Sequence, residues 1–128
     1  MIEIQKIIET AIEAGTAIIE IYNSDDFNIE IKSDNSPLTR ADLAAHNLIK
    51  EKLISLYPSI PILSEEGKDI SYEERKNWDR FWLVDPLDGT KEFIKKNGEF
   101  TVNIALIENN EPTLGIIYAP AYKNNINN

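Results

Sequence analysis

Cysteine is absent from this sequence of 128 residues, and long apolar runs are absent as well. A chain without thiols has no disulfide framework, no thiolate nucleophile and no cysteine-ligated zinc or iron–sulfur site, and its composition fits a cytoplasmic protein. No stretch approaches the roughly 20 apolar residues of a membrane-spanning helix. The N-terminal segment carries acidic residues early and lacks the apolar core of a targeting signal. We therefore expect neither a transmembrane segment nor a targeting segment.

Positively charged residues are also few in comparison with acidic ones. Lysine and arginine number 13 against 22 aspartates and glutamates, which gives a formal net charge of -9. This excess argues against a nucleic-acid polymer as a partner, and a negatively charged substrate would need local compensation by a metal ion or by placed lysines and arginines. The hydrophobic fraction of 42% and the charged fraction of 27% are ordinary for a globular chain. We expect one domain.

The spacing of apolar residues predicts a chain with both helices and strands. Helical spacing runs over residues 2–22, and it resumes after Thr39 until Tyr57 and Pro58 end it. Thr39 precedes Asp42 by three residues, as in a capping box, so Asp42 is expected in the first turn of the second helix. Strands are predicted at 27–31, 60–63, 80–85, 100–107 and 113–118, short helices at 71–76 and 90–95, and a disordered tail at 123–128.

The run WLVDPLDGTK at residues 82–91 is the most informative part of the chain. An apolar strand is expected to end at Asp85 in a turn that contains Pro86, and Gly89 permits a tight turn or a close approach to a ligand. Asp88 and Thr90 lie in the same segment. Oxygen-rich clusters of this kind suit Mg²⁺. For this motif alone, a plain strand-to-helix turn in which Asp88 or Thr90 caps the next helix is an equally good interpretation.

Three acidic groups follow or begin regular elements. Asp42 lies in the first turn of a predicted helix, Glu65 and Glu66 follow one strand, and Asp85 and Asp88 follow another. If these carboxylates converged without a cation, their like charges would repel and raise one another's pKa values. Two or more metal ions are the natural compensation.

Several motifs together resemble a known family of enzymes. The residues SEEG at 64–67 and WLVDPLDGT at 82–90 are similar to those of the lithium-sensitive, magnesium-dependent phosphatases that include inositol monophosphatase. Within that superfamily, residues 34–39, 44–46 and 91–106 resemble the bacterial 3′(2′),5′-bisphosphate nucleotidases of the CysQ type. The resemblance implies an α+β fold, namely the N-terminal half of the inositol monophosphatase-like layered α/β sandwich, with an antiparallel sheet and two long helices.

The resemblance also implies a set of metal ligands. Glu65, Asp85 and the backbone carbonyl of Leu87 would bind one Mg²⁺, and Asp85 and Asp88 would bind a second. The cofactor expected from the resemblance is therefore Mg²⁺ at two or more sites.

Catalytic and substrate-binding roles follow from the same resemblance. The implied catalytic residues are Asp42, Thr90 and Glu65: the position of Asp42 helps to activate water, and the position of Thr90 works with a neighbouring carboxylate to orient that water. The implied substrate-binding residues are Glu65, Leu87, Asp88, Gly89 and Thr90. Gly89 and Thr90 would offer backbone N–H groups to the phosphate at a helix N-terminus.

The activity implied is Mg²⁺-dependent phosphomonoester hydrolysis that converts adenosine 3′,5′-bisphosphate to AMP and phosphate. Members of the family are roughly twice as long, and their second half supplies a further metal-binding aspartate in a Trp-Asp motif. We therefore expect residues 1–122 to form an N-terminal metal-binding domain without the C-terminal domain, and its activity to be impaired. The alternatives are a non-catalytic remnant or partner module, and an inositol monophosphate or fructose 1,6-bisphosphate phosphatase.

The expected partners are a small phosphate ester, and either further copies of this chain or a separately encoded C-terminal half. An unpaired edge at the strand 113–118 favours self-association. The single histidine, His46, is interpreted as making a structural hydrogen bond or a surface contact. The aromatic residues Trp78, Phe81 and Trp82 are interpreted as core side chains rather than as stacking partners for a base.

Overall fold

The computed structural model describes residues 2–24, 29–31, 37–64 and 71–121, and the fold is given for these residues. Four helices and six strands follow one another along them. In chain order they are α1 (Ile4–Ser24), β1 (Glu30–Ile31), β2 (Pro37–Leu38), α2 (Arg40–Leu56), β3 (Ile62–Ser64), α3 (Tyr72–Arg75), β4 (Arg80–Asp88), α4 (Thr90–Ile94), β5 (Thr101–Glu108) and β6 (Glu111–Tyr118). None of these helices has the length and apolarity that crossing a bilayer requires.

A four-stranded sheet in the order β3-β4-β5-β6 forms one layer of the molecule. The strands β4, β5 and β6 are antiparallel neighbours, while β3 runs parallel to β4 with Leu63 opposite Leu83. A parallel pair needs a crossover connection, and the chain between β3 and β4 is that crossover. The strands β1 and β2 form a separate antiparallel pair. The prediction of an α+β fold with an antiparallel sheet and two long helices is confirmed. The strand β3 extends that sheet by one parallel strand.

The turn between β5 and β6 is shorter than the sequence predicts. Asn109 and Asn110 both adopt positive φ, at 51° and 69°, as in the two-residue turns that suit the twist of a hairpin. Asparagine tolerates this left-handed conformation better than most residues. The strands therefore continue to Glu108 and from Glu111, rather than stopping on either side of a connection at 108–112.

The two long helices pack against one face of the sheet and enclose the core. Alternate residues of the central strands point into it, which is the two-residue period expected of strands with one buried face. The fully or nearly fully buried members from the sheet are Trp82, Val84, Val102, Ile104 and Leu106, and those from the helices include Ile7, Ile18, Ile49 and Leu53. The core interpretation is therefore correct for Trp82 and wrong for Trp78 and Phe81, which are only partly buried and contact each other with ring centroids 5.6 Å apart.

An aromatic cluster joins the short helix α4 to this core. Phe93 of α4 is fully buried, and its ring lies 5.4 Å from Tyr22 and 5.2 Å from Phe100, measured between centroids. Ring pairs at such distances contribute roughly 0.5–1.5 kcal/mol beyond their buried area. The cluster fixes α4 against α1 and the start of β5, and so fixes the backbone just before α4.

The other face of the sheet is much less covered. Leu83 lies opposite Ala105, which lies opposite Gly115, and the next row on the same face runs from Asp85 through Asn103 to Ile117. Leu83 is 44% exposed and Ile117 is 78% exposed. Within the described chain, this face is therefore an open apolar surface with polar residues at one end. That polar end carries the candidate site.

Several predictions fall partly or wholly outside the described residues. The strand expected at 27–31 is described from residue 29, with strand geometry at Glu30–Ile31. Glu65, Glu66 and the tail at 123–128 lie in the undescribed segments. The helix predicted at 2–22 is shifted by two residues, to Ile4–Ser24.

Candidate functional site

The strand β4 does not end at Asp85, and this corrects the sequence prediction. Asp85 is opposite Asn103, and the next paired residue, Asp88, is opposite Thr101. Three steps along β4 therefore match two steps along β5, so the strand carries one extra residue in the Pro86-Leu87 segment. Such a bulge locally bends a strand and redirects side chains. Pairing with β5 resumes after the proline, which explains why the strand reaches Asp88.

Gly89 makes the sharp turn from β4 into α4. Its φ of 98° lies in the region that favours glycine, and a Cβ there would stand 2.9 Å from the backbone carbonyl oxygen of Glu99. The Gly89 carbonyl accepts a hydrogen bond from the Phe93 N–H at 2.9 Å, which begins the helix. The backbone at Gly89 and Thr90 is thus held both by its own helix and by the buried Phe93.

Asp42 is completely buried at the start of α2, and its carboxylate is fully engaged. Oδ2 accepts hydrogen bonds from the Thr39 N–H at 2.8 Å and from the Thr39 hydroxyl at 2.6 Å. This is the predicted capping box, which is confirmed. Oδ1 accepts a hydrogen bond from the Thr90 hydroxyl at 2.9 Å. Hydrogen bonds from these three donors offset the cost of removing the carboxylate from water. One of the donors, the Thr90 hydroxyl, belongs to a different helix, α4.

Asp88 is exposed and is held by a side chain from the neighbouring strand. The amide Nδ2 of Asn103 donates to Asp88 Oδ2 at 3.1 Å, and the Thr101 hydroxyl donates to Asn103 Oδ1 at 2.9 Å. Asp85 lies directly across from Asn103 and is partly exposed. Two carboxylates, one amide and one hydroxyl therefore occupy adjacent positions on β4 and β5.

His46 lies one helical turn beyond Asp42, and its Nδ1 is 2.8 Å from the Ser64 hydroxyl at the end of β3. This contact ties α2 to the strand that precedes Glu65 in the sequence. Burial lowers the pKa of His46 below its ordinary value of 6.5, with the positive charge of Lys50 as the smaller cause. The expected structural hydrogen bond is present.

The donor set at the end of β4 fits Mg²⁺ chemically. The carboxylates of Asp85 and Asp88 and the carbonyl of Leu87 are hard oxygen donors, the kind that Mg²⁺ selects. The Leu87 carbonyl oxygen lies 3.5 Å from the Thr90 hydroxyl, whose single hydrogen is directed to Asp42 at the shorter distance of 2.9 Å, so this contact leaves the carbonyl with acceptor capacity. No group of three or more histidine, aspartate or glutamate side chains able to hold a metal occurs in the described segments. The further carboxylate expected here, Glu65, falls outside them.

The structure brings some of the predicted residues together and adds others. Thr90 contacts both Asp42 and Leu87, and Asp88 follows Leu87 directly. Sequence reasoning missed Asn103 and Thr101, although they lie at alternate positions of a predicted strand and beside polar partners. The signal available in the sequence was that both residues are polar and fall on the face of the predicted strand away from the core.

The sequence is similar to that of one known protein family and to several of its members. The sequence model of the Inositol monophosphatase family matches residues 2–127. The chain is 53% identical over 121 residues to the 3′(2′),5′-bisphosphate nucleotidase CysQ of Salmonella typhimurium, covering 94% of this chain and 49% of that protein. It is 54% identical over 120 residues to the protein of the same name from Buchnera aphidicola, covering 93% of this chain and 45% of that protein.

Solved structures agree with the sequence comparison. CysQ from Bacteroides thetaiotaomicron, described as a bacterial member of the inositol monophosphatase family, superposes with a TM-score of 0.78 at 51% identity, over 93% of this chain and 42% of that one. The extragenic suppressor protein suhB from Bartonella henselae superposes with a TM-score of 0.83 at 27% identity, over 92% and 45% of the two chains. The chain thus spans about half the length of the relatives it matches.

Proposed function

The chain belongs to the inositol monophosphatase family, and on that basis we propose that it carries the metal- and phosphate-binding part of a magnesium-dependent phosphomonoesterase. The single observation that carries this proposal is the Thr90–Asp42 hydrogen bond of 2.9 Å beside the bulge between Asp85 and Asp88. It joins residues 48 positions apart in the sequence and directs both of them to the end of β4. A turn that only capped a helix would have no need of this long-range contact.

The proposed substrate is adenosine 3′,5′-bisphosphate, hydrolysed to AMP and phosphate. The Salmonella and Buchnera relatives named 3′(2′),5′-bisphosphate nucleotidase share more than half of their aligned residues with this chain, which supports that choice. Because the chain covers about half of each relative, turnover by this chain alone is part of the proposal, as is a cytoplasmic location.

The proposed metal ligands are Asp85, Asp88, the Leu87 carbonyl and Glu65, in two or more Mg²⁺ sites. Mg²⁺ bound there would neutralise phosphate charge and lower the pKa of a bound water. Inhibition by lithium is expected from the resemblance to the lithium-sensitive phosphatases. Phosphate monoester hydrolysis is among the slowest reactions known without a catalyst, so a site of this kind must supply strong charge stabilisation.

The remaining steps fall to the protein's own groups. The Thr90 hydroxyl donates its proton to Asp42, so its oxygen lone pairs are left to accept a hydrogen bond from the attacking water. The buried Asp42 carboxylate fixes that hydroxyl in one orientation. The backbone N–H groups of Gly89 and Thr90 lie at the start of α4, where they suit a phosphate oxygen. Glu65 is proposed to act with them in catalysis and substrate binding.

A second candidate is a non-catalytic module that works by association. The observation that favours it is the open sheet face, on which Leu83 and Ile117 are 44% and 78% exposed. Such a module would bind Mg²⁺ without turnover, and its partner would be another copy of the chain or a separately encoded polypeptide similar to the second half of the relatives.

A phosphate-release panel separates these candidates. The purified chain would be incubated with adenosine 3′,5′-bisphosphate, inositol monophosphate and fructose 1,6-bisphosphate, with and without Mg²⁺. We expect Mg²⁺-dependent release from the first substrate, suppressed by lithium and abolished in Asp88→Asn. The matched control is Glu111→Gln, which removes an exposed carboxylate at the start of β6 and should leave release unchanged. Preference for either other substrate would overturn the nucleotidase assignment, and background release with retained Mg²⁺ stabilisation would favour the non-catalytic module.

A further inference from the structure

We propose that Asn103 is a positioning residue that, together with Thr101, sets the orientation of the Asp88 carboxylate for metal binding. This inference rests on the proposed function, because it concerns a residue that supports a proposed ligand. Asn103 is not one of the ligands. Its place in the sheet is what assigns it the role.

The register of the sheet brings the three side chains to one face. Asn103 is paired with Asp85 and Thr101 is paired with Asp88, so the two β5 residues flank the bulged segment of β4. Residues two apart on a strand share a face, so Thr101 and Asn103 both point to the face away from the helices. The buried Val102 between them anchors this part of β5 in the core.

The hydrogen bonds fix which way the Asn103 amide points. A carboxylate accepts hydrogen bonds and cannot donate when ionised, so the group facing Asp88 must be the amide nitrogen. The amide oxygen then faces Thr101, whose hydroxyl donates to it at 2.9 Å. A flipped amide would set its oxygen against the Asp88 carboxylate and lose both favourable contacts. Thr101 therefore locks Asn103, and Asn103 holds Asp88 at 3.1 Å.

These hydrogen bonds hold the Asp88 carboxylate in one preferred orientation. Oδ2 accepts the hydrogen bond from Asn103, whereas Oδ1 accepts none from any residue in the described part of the chain. Asp88 is exposed, so without Asn103 its side chain would lose its fixed partner and sample more rotamers. Groups that orient a metal ligand in this way typically change metal affinity by roughly 10–100-fold when they are removed.

Four variants of the whole chain test the proposal by isothermal titration with MgCl₂. Asn103→Leu removes the amide at nearly the same size, and Thr101→Val removes only the hydroxyl. We expect both to raise the Mg²⁺ Kd by roughly 10-fold or more. Thr101→Ser keeps the hydroxyl and should restore binding close to that of the wild type. The matched control is Thr113→Val, which removes a hydroxyl that donates to the Glu108 carboxylate at 2.7 Å, and it should leave the Kd unchanged.

The outcomes separate this inference from the function on which it rests. Circular dichroism melts of the metal-free variants show whether each is folded at the titration temperature, and Thr101→Val keeps the test valid if Asn103→Leu does not fold. A wild-type chain that binds Mg²⁺, together with folded variants of unchanged Kd, would overturn the inference and leave the proposed function intact. Failure of Thr101→Ser to restore binding would also overturn it. A wild-type chain that binds no Mg²⁺ would overturn the proposed function and this inference together.

Discussion

The hydroxyl of Thr90 donates a 2.9 Å hydrogen bond to Oδ1 of the fully buried Asp42, and this contact ties the start of α4 to the start of α2. Asp42 lies in the first turn of α2 and Thr90 is the first residue of α4, so the contact marks a point where the helices reach the bulged end of β4. Both residues were predicted as site residues from the sequence, and their roles in catalysis remain proposals.

Thr90→Val tests how much that contact contributes to the free energy of unfolding and to phosphate release. The substitution keeps the shape of the side chain but leaves the buried Asp42 carboxylate with one donor fewer. We expect the free energy of unfolding to fall by about 1–3 kcal/mol, as when a buried polar group loses a partner. Phosphate release should fall as well, because the oxygen that orients water is gone. Chemical denaturation and a phosphate assay measure the two effects, and Thr90→Ser should retain most of both. Equal stability of Thr90→Val and wild type would contradict the account.

Gly89→Ala tests the need for glycine in the turn at the proposed phosphate end of the site. The φ of 98° disfavours any residue with a Cβ, and the added carbon would meet the Glu99 carbonyl oxygen at 2.9 Å. We expect a loss of about 1–3 kcal/mol in the free energy of unfolding. The control is Gly115→Ala in β6, where an added Cβ has nothing within 4 Å. Urea denaturation of the two variants should show a loss for Gly89→Ala alone, and equal midpoints would contradict the requirement for glycine at this turn.

The pH dependence of stability should carry a signature of His46. Burial holds the pKa of this imidazole below 6.5, so between the lowered pKa and 6.5 the unfolded chain binds more protons than the folded one. The free energy of unfolding therefore rises with pH across that window and falls on acidification through it. His46→Gln, which keeps a group able to bond Ser64, should flatten the slope. Denaturation curves between about pH 5.5 and about pH 7.5 would measure it. Parallel slopes for the two proteins would refute the assignment.

The open sheet face predicts self-association. In the described chain β6 has β5 as a neighbour and ends the sheet, and its Ile117 is 78% exposed. Apolar faces and unpaired strand edges of this kind promote assembly. We expect oligomers by light scattering, and Ile117→Lys should shift them towards monomer. Asn77→Lys adds the same charge to an exposed residue away from the sheet and should not. A monodisperse wild-type monomer that binds no hydrophobic dye would exclude this prediction.

Local features of the fold could be predicted from the sequence, and features that depend on pairing could not. The capping box at Thr39 and Asp42 lies within four residues, so its signal is complete in the local sequence. The bulge after Asp85 depends on which residues of β5 stand opposite, and a strand followed by Pro86 predicts only an ending. Asn109 and Asn110 were predicted as part of a loop, but the pairing of the flanking strands reduces that loop to a two-residue turn.

In the candidate site, too, the residues with a local sequence signal were predicted and those that depend on strand pairing were not. Asp85, Asp88, Gly89 and Thr90 were found because they cluster in ten consecutive residues around one turn. Asn103 was missed because its importance comes from a partner 15 positions away, and polar residues on the solvent face of a strand are common. Family resemblance supplied the expected roles, while the structure supplied the contacts among the described residues.

The most direct test of the central claim is phosphate release from adenosine 3′,5′-bisphosphate as a function of Mg²⁺ concentration, measured for wild type and Asp85→Asn with AMP quantified in parallel. The account predicts that the wild-type chain releases phosphate and AMP in equal amounts only when Mg²⁺ is present. Asp85→Asn, folded by circular dichroism, should release neither. Release that is independent of Mg²⁺, or that survives in Asp85→Asn, would contradict a magnesium-dependent phosphate site at the end of β4.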